Sequence, residues 1–388
     1  MKIAYCLNSI RYLGGIQRVT IVKANALASI PGNDVYVIVT DNKGGEKMGE
    51  LDARIHLIDL DVNYYKDDWK SRFHLLRGII VKGREHRKKL SEALYRIQPD
   101  IVVSVGQSEK GMLPRIKGQW KTIREFHFVS DYRMRHATTA FQKILAFGGD
   151  FIDKHFTLKK YDQIVVLTEE DKQLNWSGWT NVIVMPNPST FHCEEPSTLD
   201  SYIIVTAGRL NAQKNYSSLV RSFKDVAMKH PSWRLKIYGS GEERAMLESL
   251  IYELGLKDKV KLGGFTNDIK AGFSKASAAV YTSIYEGFPL SIIEAMECGL
   301  PVVSYSCPCG PKDIIDDGKD GFLVEVNDEK SLAEKICLLI EDEELRKNMG
   351  IEARKKAGKY HVDIITQKWM TLFKELCGNW QTTKYDFR

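Results

Sequence analysis

Short apolar runs alternate with longer helical stretches along the first half of the chain. The run "MKIAYCLN" opens it, and a helical segment follows from about Gln17 to Ser29. Then come "DVYVIVT" (34–40), "IHLIDL" (55–60), "DIVVSV" (100–105), "KTIREFHF" (121–128), "QIVVLT" (163–168) and "NVIVMP" (181–186). Near-continuous apolar strands separated by helices predict an α/β domain, a parallel sheet covered on both faces, over 1–187.

The stretch "PNPSTFHCEEPSTLD" (186–200) is rich in Pro, Ser, Thr and acid and reads as a linker, assigned to 188–200. The pattern then restarts. "YIIVTAGRL", "RLKIYGSG", "VKLGGF", "AAVYTS", "PVVSY" and "GFLVEV" are the apolar runs, with helices near 215–229, 242–254, 267–276 and 290–297 between them. A long helical tail, 329–377, follows. This predicts a second doubly wound unit over 201–365, and a ligand bound in the cleft that two such tandem units form.

Composition alters this picture little. At 388 residues two domains are the default; 43% of positions are hydrophobic and 27% charged. No apolar run reaches the roughly 20 residues of a membrane span. The N-terminus lacks the apolar region and cleavage site of a signal peptide, which predicts a cytoplasmic chain. The seven cysteines are scattered without zinc-ribbon spacing, which predicts reduced structural thiols.

Charge is uneven. Residues 1–190 hold 29 Lys+Arg against 21 Asp+Glu, while the net charge of the whole is +6. The excess concentrates in "KDDWKSRFHLLRGIIVKGREHRKKL" (66–90), where apolar residues interleave with basic ones. That pattern suits an anionic membrane surface or an acidic ligand, and equally an amphipathic core helix with a solvated basic face. There is charge but no nucleic-acid recognition motif, so no nucleic-acid partner is expected.

The chemistry-bearing stretch is "EGFPLSIIEAMECGLPVV", from Glu286. Pro289 sits where a helix begins, and Gly299 and Pro301 stop it, so the helix runs roughly Leu290 to Cys298. Glu286 then precedes the helix and Glu294 projects from its first turns. Between them the amides around Gly287, Phe288, Pro289 and Leu290 leave the helix N-terminus, where partial positive charge favours phosphate. An anion cradle flanked by two acceptors fits a diphosphate between two polyols. "AGRLNAQKN" adds Arg209 after a strand and Lys214 ahead of the next helix, two cations able to hold a diphosphate and stabilise it as it leaves. In "SIRYLGGIQRV", Gly14 and Gly15 allow close backbone approach to a ligand, although tight turns explain such pairs as well. "YGSGEERAM", with Gly239, lacks the third glycine of a dinucleotide fingerprint, which disfavours a nicotinamide enzyme. Asp59 and Asp61 form a D-x-D far in sequence from these elements, which reads as coincidence.

Over 201–325 the chain resembles the GT-B fold glycosyltransferases of the family 4 type (glycosyltransferase group 1), among them bacterial enzymes of polysaccharide, O-antigen and capsule assembly. The likeness lies in "AGRLNAQKN", "LKIYGSGEER", "VKLGGFTNDI", the E-x7-E stretch and "CGPKDIIDDGKDGFLV", and more weakly in "GGIQRV" and the closing helix. The resemblance implies two Rossmann-like domains facing a cleft, with residues 366–388 forming a helix that returns to the first domain. It implies that Glu286 contacts the donor sugar or its reaction centre, that Glu294 grips the donor ribose, and that Arg209 and Lys214 hold the diphosphate. Gly14, Gly15, Gly239, Phe265 and the 287–290 segment complete the expected donor contacts. His127, in "REFHFVSDY", matches loosely a family His near the sugar and acceptor, though a lone His between Phe126 and Phe128 is also an ordinary core residue. Asp313 stands where many relatives carry Glu.

The activity so implied is retaining transfer of a hexose or N-acetylhexosamine from a nucleotide-diphosphate sugar, with a uridine diphosphate donor favoured, to a saccharide acceptor. A lipid-linked acceptor at the inner face of the cytoplasmic membrane suits the basic first domain. With Arg209 and Lys214 present, no metal is needed to neutralise the leaving group, and no cofactor is expected. Two alternatives share the architecture: a nucleotide-sugar epimerase, against which the glutamate pair speaks, and a non-catalytic sugar-nucleotide-binding protein, which would have lost Arg209, Lys214 or Glu286.

Overall fold

The computed structural model describes residues 1–11, 14–42, 50–64, 72–129 and 132–378, and of 72–80 and 135–136 the backbone only. The chain divides into two compact units. The first is Met1–Val166, Leu174–Pro188 and Val362–Arg388; the second is Leu167–Gln173 and Ser189–His361.

In the first unit β1 (Lys2–Leu7), β2 (Asp34–Val39), β3 (His56–Asp59), β4 (Ile101–Ser104), β5 (Lys121–Glu125), β6 (Gln163–Val166) and β7 (Val182–Val184) form a parallel sheet in the order β3-β2-β1-β4-β5-β6-β7. Alternate residues of β1 show why both faces are apolar. Ile3, Tyr5 and Leu7 enter one core cluster; Ala4 and Cys6 enter the other. The helix Val362–Leu376 belongs to this unit, where Ile365, Trp369, Leu372 and Phe373 join the core on the first face.

The second unit repeats the plan with β8 (Ile203–Ala207), β9 (Arg234–Tyr238), β10 (Val260–Gly264), β11 (Ala278–Tyr281), β12 (Val302–Tyr305) and β13 (Gly321–Val324), ordered β10-β9-β8-β11-β12-β13 and parallel throughout. Ile204 and Val205 again point to opposite cores. In each sheet the chain winds one way from its first strand and then crosses back. The reversal lies between β1 and β4 in one unit and between β8 and β11 in the other, and the crevice at the carboxyl ends of such strands is where this fold class binds ligands.

Two stretches marked by their composition have a definite setting. Residues 189–200 are not a free tether. Cys193 and Leu199 are buried, Ser197 N donates to the Cys298 carbonyl at 2.9 Å, and Arg354 Nη2 donates to that of Cys193 at 2.8 Å. Of the basic stretch 66–90, residues 66–71 fall outside the described residues. Over 81–97 it is a core helix with a solvated basic face: Leu90, Leu94 and Ile97 are buried, Arg87 and Lys88 exposed. All seven cysteines are free thiols. Among the described residues no helix is long and apolar enough to cross a membrane.

Candidate active site

The loops after β8 and β11 meet at the switch point of the second sheet. Ile284 N donates to the Gln213 carbonyl (2.9 Å), Gln213 Nε2 to the Tyr285 carbonyl (3.0 Å), and Thr282 Oγ1 to the Lys214 carbonyl (2.9 Å). This stitching brings Lys214 to Glu286. The ammonium donates to Glu286 Oε1 at 2.5 Å, and Ser283 Oγ donates to the same oxygen at 2.6 Å. Both side chains are largely shielded, 17% and 9% exposed, so the charges interact more strongly than a surface pair does. Arg209, on the same loop, is exposed, and its guanidinium has no hydrogen-bond or ion-pair partner among the described residues. One cation is held by a carboxylate, and the other is free to meet an anion.

The helix Leu290–Glu297 starts at Pro289, as its sequence predicts. No protein acceptor takes the amides of Gly287, Phe288 or Leu290 among the described residues, and unpaired amides at a helix start favour an anion. The ring of Phe288 is not free for a ligand; it is buried and packs edge-on against Tyr360, centroids 5.8 Å apart. Gly310, at φ 127°, lets its loop lie against Pro289, because a Cβ there would come within 2.4 Å of the proline ring. Glu294 is buried and accepts a hydrogen bond from Thr190 Oγ1. Asp313 spends Oδ1 on the amide of Glu169 (2.8 Å), and burial raises its pKa against the pull of that bond.

Glu297, one turn beyond Glu294, was not singled out from the sequence. Its carboxylate is buried and joins His192 Nδ1 (2.7 Å) to His361 Nε2 (2.9 Å). These histidines lie near two of the four positions where the chain passes between its two units, 188/189 and 361/362. An acid on the apolar helix "SIIEAMECG" was the available signal.

The remaining candidate donor residues have different settings. Gly239, after β9, is held at φ 140°, and a Cβ would lie 1.8 Å from the carbonyl oxygen of Gly208. It supports the Arg209 loop through backbone contact. Phe265 follows β10 at the sheet edge and is 54% exposed. Gly14 precedes the helix Gly15–Ser29 in extended conformation, and neither it nor Gly15 needs a left-handed backbone. Open space lies around the Gly15 Cβ position. Asp59 accepts from the amides of Asn42 (3.3 Å) and Asp61 (2.9 Å), so the D-x-D caps a local turn.

His127 sits in the first unit, beyond β5, with its side chain 3% exposed. It lines a cavity of about 480 Å³ together with Arg124, Lys110, Arg133, Phe126 and Trp176. Its Nε2 lies 3.3 Å from Glu125 Oε1, which also takes the buried Lys23 ammonium. Burial lowers the imidazole pKa, and Glu125 opposes this only in part, which favours the neutral ring. Burial pushes Glu125 up, but Lys23 and His127 outweigh it and hold the carboxyl at about 2. Arg124 is buried too, donating from Nη1 to Ser104 Oγ at 2.8 Å. The structure therefore gathers Arg209, Lys214, Glu286, Glu294 and the 287–290 amides in the second unit and sets His127 in a cationic, aromatic cavity of the first.

A family model described as Glycosyl transferases group 1 matches residues 190–356. An "uncharacterized glycosyltransferase" of Haemophilus influenzae is 30% identical over 377 residues, covering 95% of this chain and 98% of that protein. The chain belongs to the group 1 glycosyltransferases. A second relative of this glycosyltransferase, from Campylobacter jejuni, is 29% identical over 97% of the chain and 99% of its own length. Its name is GalNAc-alpha-(1->4)-GalNAc-alpha-(1->3)-diNAcBac-PP-undecaprenol alpha-1,4-N-acetyl-D-galactosaminyltransferase. Among solved structures, TarM matches with a TM-score of 0.77 at 17% identity, covering 96% of this chain and 98% of that one. HepE of Anabaena, in complex with UDP and glucose, matches with a TM-score of 0.71 at 17% identity, covering 97% and 100%. The fold of the group 1 glycosyltransferase is the two-domain α/β GT-B fold. The segment that the family model matches contains Arg209, Lys214, Glu286 and Glu294, while His127, Gly14 and Gly15 lie outside it.

Proposed function

We propose that this glycosyltransferase moves a hexose or N-acetylhexosamine from a uridine diphosphate sugar to a lipid-linked saccharide in cell-surface polysaccharide synthesis, with retention at the anomeric carbon. The observation that carries the reading is the switch-point cluster of the second unit, where a shielded Lys214–Glu286 pair, an exposed Arg209 and unpaired helix-start amides come together. In this reading Arg209, Lys214 and the amides take the diphosphate and Glu294 the ribose. Glu286 positions Lys214 and meets the sugar. The bond from the anomeric carbon to the phosphate oxygen breaks as the bond to the acceptor oxygen forms, and the acceptor proton passes to the departing phosphate. Preorganised donors aimed at that oxygen stabilise its growing charge without a metal. His127, neutral and buried, faces the acceptor. HepE, solved with UDP and glucose, supports the donor class. The Campylobacter relative, named for a saccharide on PP-undecaprenol, supports the acceptor class.

Incubation with a panel of UDP-α-sugars and a short lipid-linked saccharide, read by proton NMR of the product, tests this. An α-linked product with UDP released, unaffected by EDTA, is expected. A β-linked product contradicts retention, and loss of turnover in EDTA contradicts the metal-free reading. Interconversion of the free sugar nucleotide without transfer would return the epimerase.

A further inference from the structure

A surface helix normally buries its apolar stripe and shows its charges to water. The segment 140–160 of the first unit does the reverse. It begins as an α-helix, Ala140–Ile152, and continues through a π turn, Asp153–Thr157, and a 3₁₀ turn, Leu158–Lys160. Its start is well defined: Thr139 accepts from Gln142 N at 3.2 Å, and Gln142 accepts from Thr139 N at 3.1 Å. Phe141, Ile144, Leu145, Phe147, Phe151, Ile152 and Phe156 are each between 49% and 69% exposed. At about 100° per residue they share one half of the circumference. Within Ala140–Ile152 only Ala146 is buried. The opposite side is held by ions instead. Asp150 pairs with Arg133 (3.2 Å), and Asp153 pairs with Lys110 (2.5 Å) and Arg133 (2.7 Å).

So large and continuous an apolar face calls for an apolar partner. Its rim names which one. Lys143, Lys159 and Lys160 are exposed beside it, while both acids of the segment, Asp150 and Asp153, are turned inward and paired. A two-fold contact with a second copy would press two like-charged rims together, whereas an anionic lipid surface complements them. We propose that the outer face of 140–160 lies in the interface of an anionic bilayer, with its aromatic and branched side chains among the acyl chains and its lysines at the headgroups. Asp150, Asp153 and Lys154 of the same segment line the cavity that holds His127. A lipid-anchored acceptor therefore reaches that cavity from the layer on which the helix sits. This names the surface behind the lipid-linked acceptor reading and rests on that reading for its biological purpose.

The full chain is floated with vesicles of phosphatidylcholine alone or with about a quarter phosphatidylglycerol, at low and high salt. Wild type is expected to rise with the anionic vesicles at low salt and less at high salt. The double substitution Ile144→Asp, Phe147→Asp is expected to cut the bound fraction at least about tenfold with unchanged thermal melting, since both side chains are exposed. Lys159→Glu, Lys160→Glu is expected to cut it several-fold on anionic vesicles. Wild type that stays at the bottom, or an aspartate variant that floats as wild type does, overturns the proposal. So does a dimer in light scattering that the aspartate variant dissolves while no vesicle binds, which assigns the face to a second copy. Turnover of UDP-sugar with a water-soluble acceptor is read in parallel. Flotation without turnover in wild type removes the donor reading and leaves the docking surface standing; turnover without flotation does the opposite.

Discussion

Lys214 and Arg209 sit five positions apart on one loop and are set up for different tasks. Lys214 is locked by Glu286, with the Ser283 hydroxyl supporting the same oxygen, so its place in the second unit is decided before any donor arrives. Arg209 is exposed and unengaged among the described residues, so its fork is available to a phosphate. Removing Arg209 should therefore leave the fold intact and weaken the stabilisation of the leaving group. For Arg209→Ala we expect kcat to fall about 10²-fold or more, as for the loss of one transition-state donor. Thermal melting should stay within a degree or so of wild type. Steady-state kinetics against UDP-sugar checks this, and an unchanged kcat removes Arg209 from the reaction. The sequence draws attention to both cations and both glutamates through the motifs that hold them, two in loops, one ahead of a helix and one in its first turns. It did not make the Lys214–Glu286 pairing legible, since 72 positions separate the two and only the parallel order of β8 and β11 brings their loops together.

Elements of regular apolar pattern were the easiest to read. Strands such as β1 and β8 are near-continuous apolar runs, and the alternating destinations of Ile204 and Val205 explain why both faces are apolar, whereas β5 and β9 carry charged residues within the run. What the pattern hid was polar chemistry inside apolar elements. Lys23 lies in the helix Gly15–Ser29 amid "TIVKANAL" and is buried on Glu125, and Glu297 lies buried in the helix after Pro289. The segment 140–160 was illegible for the opposite reason: periodicity shows that a helix has two faces but not which one turns inward. The loops after β8 and β9 depend on a backbone contact that no side chain reports. Gly239→Ala would drive a Cβ into the Gly208 carbonyl at a φ of 140°. We expect a loss of about 2–4 kcal/mol of stability, seen as a lower urea midpoint together with reduced turnover through the displaced Arg209 loop. A midpoint equal to wild type would show that the two loops part without cost.

At the scale of the molecule, two similar sheets carry different chemistry at their switch points. The second presents cations, amides and two carboxylates; the first presents a cavity lined by Arg124, Lys110 and aromatic rings around a buried His127. The group 1 family match falls on the former. In the proposed reaction the second unit grips a nucleoside diphosphate, with Glu294 on the ribose and the helix-start amides on the phosphates. Calorimetric titration of the full chain with UDP tests it directly. A single site is expected in wild type, and an affinity lower by at least about tenfold in Glu294→Ala, the scale of a lost hydrogen bond to a charged group. Equal affinity in the two proteins, or no binding to wild type, would contradict it.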